Sequence, residues 1–413
     1  MLLAAVMLFG CGRLGYDPQG AGDAAVPDDT SVADTGVADT SVADTGTPDT
    51  SVVDASAPSL GPSRILEAGG QGVNNPNALW LGDRLAVAWK RSDGFDKVWV
   101  ASYSGQGDLL SGPFQISGAE PADDAWLAWN GDVLCVVWTE GLDAATARVY
   151  YRLALPTGEP QTAATPLSPA GVVIHAPVVE WSGSHFVAAW RAATASASSE
   201  IRRATIRPAG TIDQPDESFN MATRRQTDVD LRAFGGALHA SWGEPISTGD
   251  EIFRAELSAV GVVVGAPSLV IDAPGNSRFS AIAGNASGSA VAFHNDRNGT
   301  IGVFVRFDDL TELEVDPSPA VDGDELAMAK ASSSDVYAIV WDGTDASGVA
   351  GDVEYALVSP VDGILARGAL TVEPENASAH PAVVWADGAF VAVWESRVAT
   401  TTVDNLALRR IVP

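Results

Sequence analysis

The sequence predicts an all-β chain made of seven repeated four-stranded units, and three observations carry that expectation. Apolar runs ending in an aromatic residue recur through residues 63–413 at separations of 49, 52, 52, 51, 48 and 53 residues, a period near fifty with no helical periodicity inside it. Turns of the Asn-Gly and Asp-Gly kind stand between paired apolar segments, as β-hairpins require. The composition agrees: 41 Gly, 24 Pro and 19% charged residues in 413 suit a turn-rich sheet protein better than a helical one.

Taken in chain order, the first element is an uncharged apolar run from Leu2 to Gly10 that ends at Cys11. It is too short to span a bilayer, which takes about twenty residues. The segment Leu8-Phe9-Gly10-Cys11 resembles the lipobox of bacterial lipoproteins. That resemblance implies that residues 1–10 are a removed signal peptide, that Cys11 is acylated, and that the protein is exported and held at a membrane by its lipid. Gly12 stands where an Asp would favour the inner membrane, so the same resemblance points to the outer membrane. The second cysteine, Cys135, lies in Val133-Leu134-Cys135-Val136-Val137-Trp138 and reads as a small buried hydrophobe.

Residues 11–62 form a tether. From Asp29 an Asp appears at every fifth position through Asp54, a period that fits neither helix nor strand. Such a segment buries too little apolar surface to offset its ordering entropy, and its like charges keep it extended. Of the formal net charge of -29, this segment's nine Asp and one Arg contribute -8. A chain this acidic, with a pI near 4.3, is excluded from phosphate-neutralising nucleic-acid binding.

Residues 63–413 hold the repeats. The anchors are Trp89, Trp138, Trp190, Trp242, Phe293, Trp341 and Trp394, and nine residues before four of them stands a second Trp: Trp80, Trp129, Trp181 and Trp385. Ten of the twelve tryptophans occupy these two positions, which marks them as packing between sheets rather than a sugar-stacking platform. A hairpin turn separates the two, and a polar loop, a third strand, a Gly turn and a weaker fourth strand follow. Four antiparallel strands per fifty residues is a β-propeller blade. The seventh repeat stops after its third strand, whereas Arg64-Ile65-Leu66-Glu67-Ala68 precedes the first repeat as a spare strand. A seven-bladed ring closed by that N-terminal strand satisfies both ends. Treating the fifth repeat, with Phe293 and Ser289 in place of larger residues, as a loop insertion would leave six blades.

The pattern is clearest in His380-Pro381-Ala382-Val383-Val384-Trp385-Ala386-Asp387-Gly388-Ala389-Phe390-Val391-Ala392-Val393-Trp394, and the N-terminus adds Cys11-Gly12-Arg13-Leu14-Gly15-Tyr16-Asp17. Both resemble the repeat propellers on exported lipoproteins of myxobacteria and related bacteria. The resemblance covers nearly the whole chain and implies fold and location; that group carries no general activity to transfer.

Chemistry in such a fold is expected on the loops after each anchor. They offer Arg91, Asp93, Arg191, Asp296, Arg297, Glu395 and Arg397, acids interspersed with arginines. Sialidase propellers use several Arg on a sugar carboxylate, but no repeat here shows the Ser-x-Asp-x-Gly-x-Thr-Trp box of that family. Solvated ion pairs at loop ends are the plainer account of these residues. Asp342 and Asp345 offer oxygen ligands to Ca²⁺ but lack a full alternating Asp series and a closing Glu; no other cofactor is indicated. Five His are scattered without paired ligand spacing. Two functions from different classes remain: a monomeric, membrane-anchored binding module for a glycan or protein at the cell surface, and a glycoside hydrolase acting on the acidic and Arg-bearing loop face. An envelope protein with a purely structural role is a third.

Overall fold

The computed structural model describes residues 58–413, apart from 93, 142–145, 171–172, 194–198, 220–225, 227, 247–248, 298, 300, 318–324, 345–349, 372–375 and 399–402. Residues 1–57, with Cys11 and the tether repeats, lie outside the described residues, and the compact unit begins at Pro58. The described chain is all strand and turn, with no helix.

Seven antiparallel sheets follow one another along the sequence, spanning 74–115, 122–166, 173–218, 229–269, 277–316, 326–369 and 376–412; they are blades 1 to 7. The fifth repeat is a complete four-stranded blade, so the ring has seven. In each blade the first strand is innermost. These inner strands are Asn74–Trp80, Ala122–Trp129, Val173–Trp181, Val229–Phe234, Ser277–Asn285, Leu326–Lys330 and Asn376–Ala386. Each packs against the inner strands of both neighbouring blades, and that of blade 7 packs against that of blade 1. The result is a closed seven-bladed β-propeller.

Closure is made by the N-terminus. Arg64–Gln71 pairs with the third strand of blade 7, Val403–Val412, and Ser59–Leu60 extends the same edge by pairing with Ile411 and Val412. The strand expected over 64–68 is therefore longer and has a short second part. It matters because an open third strand would present unpaired backbone groups to other chains.

The core consists of seven apolar clusters, each shared by two adjacent blades. The anchors Trp89, Trp138, Trp190, Trp242, Phe293, Trp341 and Trp394 are all at most 2% exposed within them. Several face an aromatic directly across to the third strand, as Trp89 does Trp99, Trp138 does Tyr150, Trp242 does Phe253 and Phe293 does Phe304. Such cross-strand pairs stabilise a sheet beyond the area they bury. Cys135 is fully buried, as its apolar run predicts.

The inner strands of blades 1, 2, 3, 5 and 7 share a bulge near their start, where the register with the second strand slips. In four of these the first residue is left-handed although not glycine: φ is 50° at Asn75, 52° at Asp124, 51° at Phe279 and 54° at His380. Each such residue costs on the order of 1 kcal/mol or more. Four of them at one level of the ring place strained side chains around one end of the central channel.

Candidate functional site

Two faces of the ring differ. The loop face carries the connections between second and third strands and the entry into each inner strand. The hairpin face carries the turns from first to second strand. The bulges belong to the loop face.

Here the residue just after six of the seven anchors meets the start of an inner strand. Lys90 Nζ pairs with Asp123 Oδ2 at 2.7 Å, Asn75 Nδ2 donates to Asp123 Oδ1 at 2.8 Å, and Thr139 Oγ1 donates to the Asp123 carbonyl at 3.0 Å. Arg191 reaches Asp228 at 3.7 Å, and His294 meets Phe279 edge-on. Asp342 Oδ1 accepts from the Glu325 backbone N–H at 3.0 Å. His380 lies between two acids, Nδ1 at 3.0 Å from Glu395 Oε2 and Nε2 at 3.7 Å from Glu325 Oε1. Burial alone would lower the His380 pKa, but Glu325, Glu395 and the more distant Asp342 outweigh it and lift it to about 10. His380 is accordingly an imidazolium at neutral pH.

Arg191, Asp342 and Glu395 thus stand at the channel mouth. Arg91 and Arg297 instead fold back on their own third strands. Arg91 stacks 3.9 Å above Trp99 and pairs with Glu67 at 3.3 Å, while Arg297 stacks 3.9 Å above Phe304 and pairs with Glu312 at 2.6 Å. Asp296 accepts from the backbone N–H and side-chain amide of Asn276, at 2.6 and 3.1 Å. The loop acids Glu140 and Glu244 accept the indole N–H of the anchors Trp138 and Trp242, at 2.9 and 3.3 Å. Asp93 and Asp345 lie outside the described residues, as does the side chain of Arg397. Among the described residues no group of three or more His, Cys, Asp and Glu side chains is placed to hold a metal ion.

The channel itself holds a cavity of ≈ 350 Å³ in its hairpin-face half, lined from all seven inner strands. Trp80 and Trp385, expected from the repeat to serve packing between sheets, are only partly covered there and with Trp126 and Phe234 supply aromatic walls, while Glu180 and Arg232 supply opposite charges. An inner strand has no strand beyond it, so its channel-side N–H groups need other partners. Asn77 Oδ1 accepts from Leu127 N at 3.1 Å and Asp230 Oδ2 from Ile282 N at 2.9 Å, each from one blade to the next. Arg232 pairs with Asp230 at 3.1 Å and lies over the Trp126 ring at 5.2 Å. Burial pushes the Glu180 carboxyl up to about 7 against the pull of Arg232, and burial also raises Asp230.

Sequence reasoning missed Glu180 and Arg232. Both stand ten residues before their anchors, where the other blades carry Leu79, Ala128, Ala283, Ala331 and Val384. The signal was a charge in an apolar column of the repeat, on two adjacent blades.

No protein-family model and no curated protein sequence matches the chain. Its fold is similar to that of the polysaccharide lyase Uly1, at 10% identity and a TM-score of 0.53, covering 83% of this chain and 90% of that one. A puromycin-hydrolyzing peptidase of Mycobacterium tuberculosis gives 14% identity and a TM-score of 0.49, over 83% of this chain and 56% of the peptidase. A Trypanosoma rangeli sialidase in complex with the inhibitor DANA gives 9% and 0.48, over 83% of this chain and 55% of the sialidase. This chain spans little more than half the length of the last two. At these identities the likeness is one of fold.

Proposed function

We propose that the protein is a lipid-anchored binding module of the bacterial cell envelope, held at the outer membrane through Cys11, with its ligand seated in the central channel of the propeller. The observation that carries this reading is the channel cavity of ≈ 350 Å³, lined by Trp80, Trp126, Phe234 and Trp385 together with Glu180 and Arg232. Aromatic walls with a few convergent polar groups, at a size within the range of small-molecule sites, are the features of a ligand pocket. The acidic loops keep the sheet-rich domain soluble and repel polyanions.

A glycan and peptidoglycan-fragment array probed with the full chain tests this. The expected result is at least one bound component whose affinity falls by about tenfold or more in Trp385→Ala and Glu180→Gln. Binding that neither variant weakens would move the site out of the channel. A hydrolase is the second reading, favoured by one observation: Glu180, with a pKa of about 7, stands near the buried carboxyl of Asp230, and a neutral acid beside a second carboxyl is the pairing glycoside hydrolysis uses. Turnover of aryl glycosides that Glu180→Gln abolishes would select it over simple binding.

A further inference from the structure

The interface between blades 4 and 5 departs from the other six. Among the described residues its apolar cluster has seven buried members, against twelve to fourteen elsewhere. Two repeat positions in blade 5 contribute to the difference. Four residues before the anchor the other blades carry Leu85, Leu134, Phe186, Leu238, Tyr337 and Phe390, each at most 2% exposed. Blade 5 carries Ser289. Nine residues before the anchor, where four blades carry Trp, blade 5 carries Gly284, and a Cβ there would come within 2.8 Å of the Phe234 ring. At Gly284 the Phe234 ring takes the place of the missing side chain, whereas at Ser289 the interface is left open, and such a void ordinarily costs stability in proportion to its volume.

The opposing face of blade 4 is polar where its counterparts are apolar. His239 occupies a position held elsewhere by Ala86, Cys135, Val187, Ala290, Ala338 and Val391. Its ring stacks on Phe234 with centroids 3.9 Å apart and planes 7° apart. Burial lowers its pKa, so a neutral imidazole offers one donor and one acceptor. Arg254 Nη1 meets Asp308 Oδ1 at 2.5 Å, and Asp308 also accepts from the Ser289 hydroxyl at 2.8 Å and the Ser289 backbone N–H at 2.6 Å. These groups, with Ile282 and Val264 as aliphatic lining, surround a cleft of ≈ 360 Å³ that runs between the blades.

We propose that this cleft is a second binding site, separate from the channel, for a neutral saccharide of one or two hexose rings. Arg254 beside Asp308 sets a donor next to an acceptor, the pattern that meets neighbouring hydroxyls of a sugar. His239 and the Ser268 and Ser289 hydroxyls extend it, and the aliphatic lining takes the C–H face of a ring. An anionic ligand would meet Asp308 and Glu256, and a cationic one would meet Arg254. The volume lies at the lower end of the range for small-ligand clefts.

The test titrates the full chain by calorimetry and ligand-detected NMR with glucose, galactose, mannose and N-acetylglucosamine and their disaccharides, and with acetate and methylammonium as charged probes. The expected result is saturable binding of at least one neutral sugar that Ser289→Leu weakens by about tenfold or more, while Trp385→Ala in the channel leaves it unchanged. Ser289→Leu restores the residue type of the repeat, so its melting temperature is expected to rise. Arg254→Gln, on the rim, is expected to give the same loss of binding and serves if Ser289→Leu fails to fold. Failure of every neutral sugar, preference for a charged probe, binding indifferent to both cleft variants, or a dimer in sedimentation that Ser289→Leu dissolves would each overturn the proposal. Loss of binding in Trp385→Ala alone would place the sugar in the channel and leave the cleft without a ligand.

Discussion

His380 combines a left-handed backbone with an imidazolium held between Glu395 and Glu325, and both features follow from its place in the bulge. Its folded pKa, about 10, lies above the ordinary value near 6.5. A histidine shifted upward contributes stability in full below its unfolded pKa and loses it as pH rises through the folded one. Replacing it with Asn, which tolerates positive φ, should therefore destabilise the protein most at pH 6, by roughly 2 kcal/mol or more, and progressively less toward pH 10. Urea unfolding midpoints of wild type and His380→Asn across that range measure the difference. A gap that is constant with pH would mean that His380 acts by shape rather than by charge. The acids around it, Glu325, Asp342 and Glu395, are the groups whose pairing the substitution disturbs.

At the scale of the element, the closing strands decide whether the seventh blade is a sheet with a protected edge. Removing residues 59–71 from the chain exposes the whole of Val403–Val412 and uncovers the cluster that Leu66 helps to cover between blades 7 and 1. The expected outcome is a melting temperature lower by about 10 °C or more and self-association through the freed edge, read by calorimetry and light scattering. The strand over 64–68 was legible in the sequence because the seventh repeat is short by one strand and a spare precedes the first repeat, whereas the short pairing at Ser59 and Leu60 was not. The hairpins were legible for a similar reason: their turns recur at fixed distance from a Trp. The bulges were not. One extra residue, two against one on the partner strand, leaves little mark beyond the prolines Pro76, Pro177 and Pro381, and register depends on pairing with the neighbouring strand, which single-strand patterning does not report. The arginines show the same limit. Their loops were identifiable, but whether Arg91 faces the mouth or Trp99 is set by the alternation of the strand that carries it.

At the scale of the molecule, the repeat turns each blade into a reference for the other six. The apolar columns explain the ring, and the exceptions locate what is particular to this protein: Glu180 and Arg232 on the channel side of blades 3 and 4, His239, Gly284 and Ser289 between blades 4 and 5. The period of the repeat specifies the ring, and the cavities lie where its columns break at the blade interfaces. The anchor is tested at this scale too. Cys11→Ser is expected to move the protein from the membrane to the soluble fraction after cell lysis, with the propeller's melting temperature unchanged; persistent membrane association would refute lipid attachment.

The clasp between the two ends of the propeller carries a mechanical consequence. The described chain begins at Pro58, and its first backbone pairing is Ser59 and Leu60 against Val412 and Ile411. With Cys11 held in a bilayer as proposed, a bound surface that drags on the propeller would load this two-residue pairing first, next Arg64–Gln71, and only afterwards the blade interfaces. Peeling those strands undoes the ring at the seam where it was joined. The same strands that complete the fold thereby act as its rupture point, and the force the clasp withstands sets the pull under which the protein stays whole.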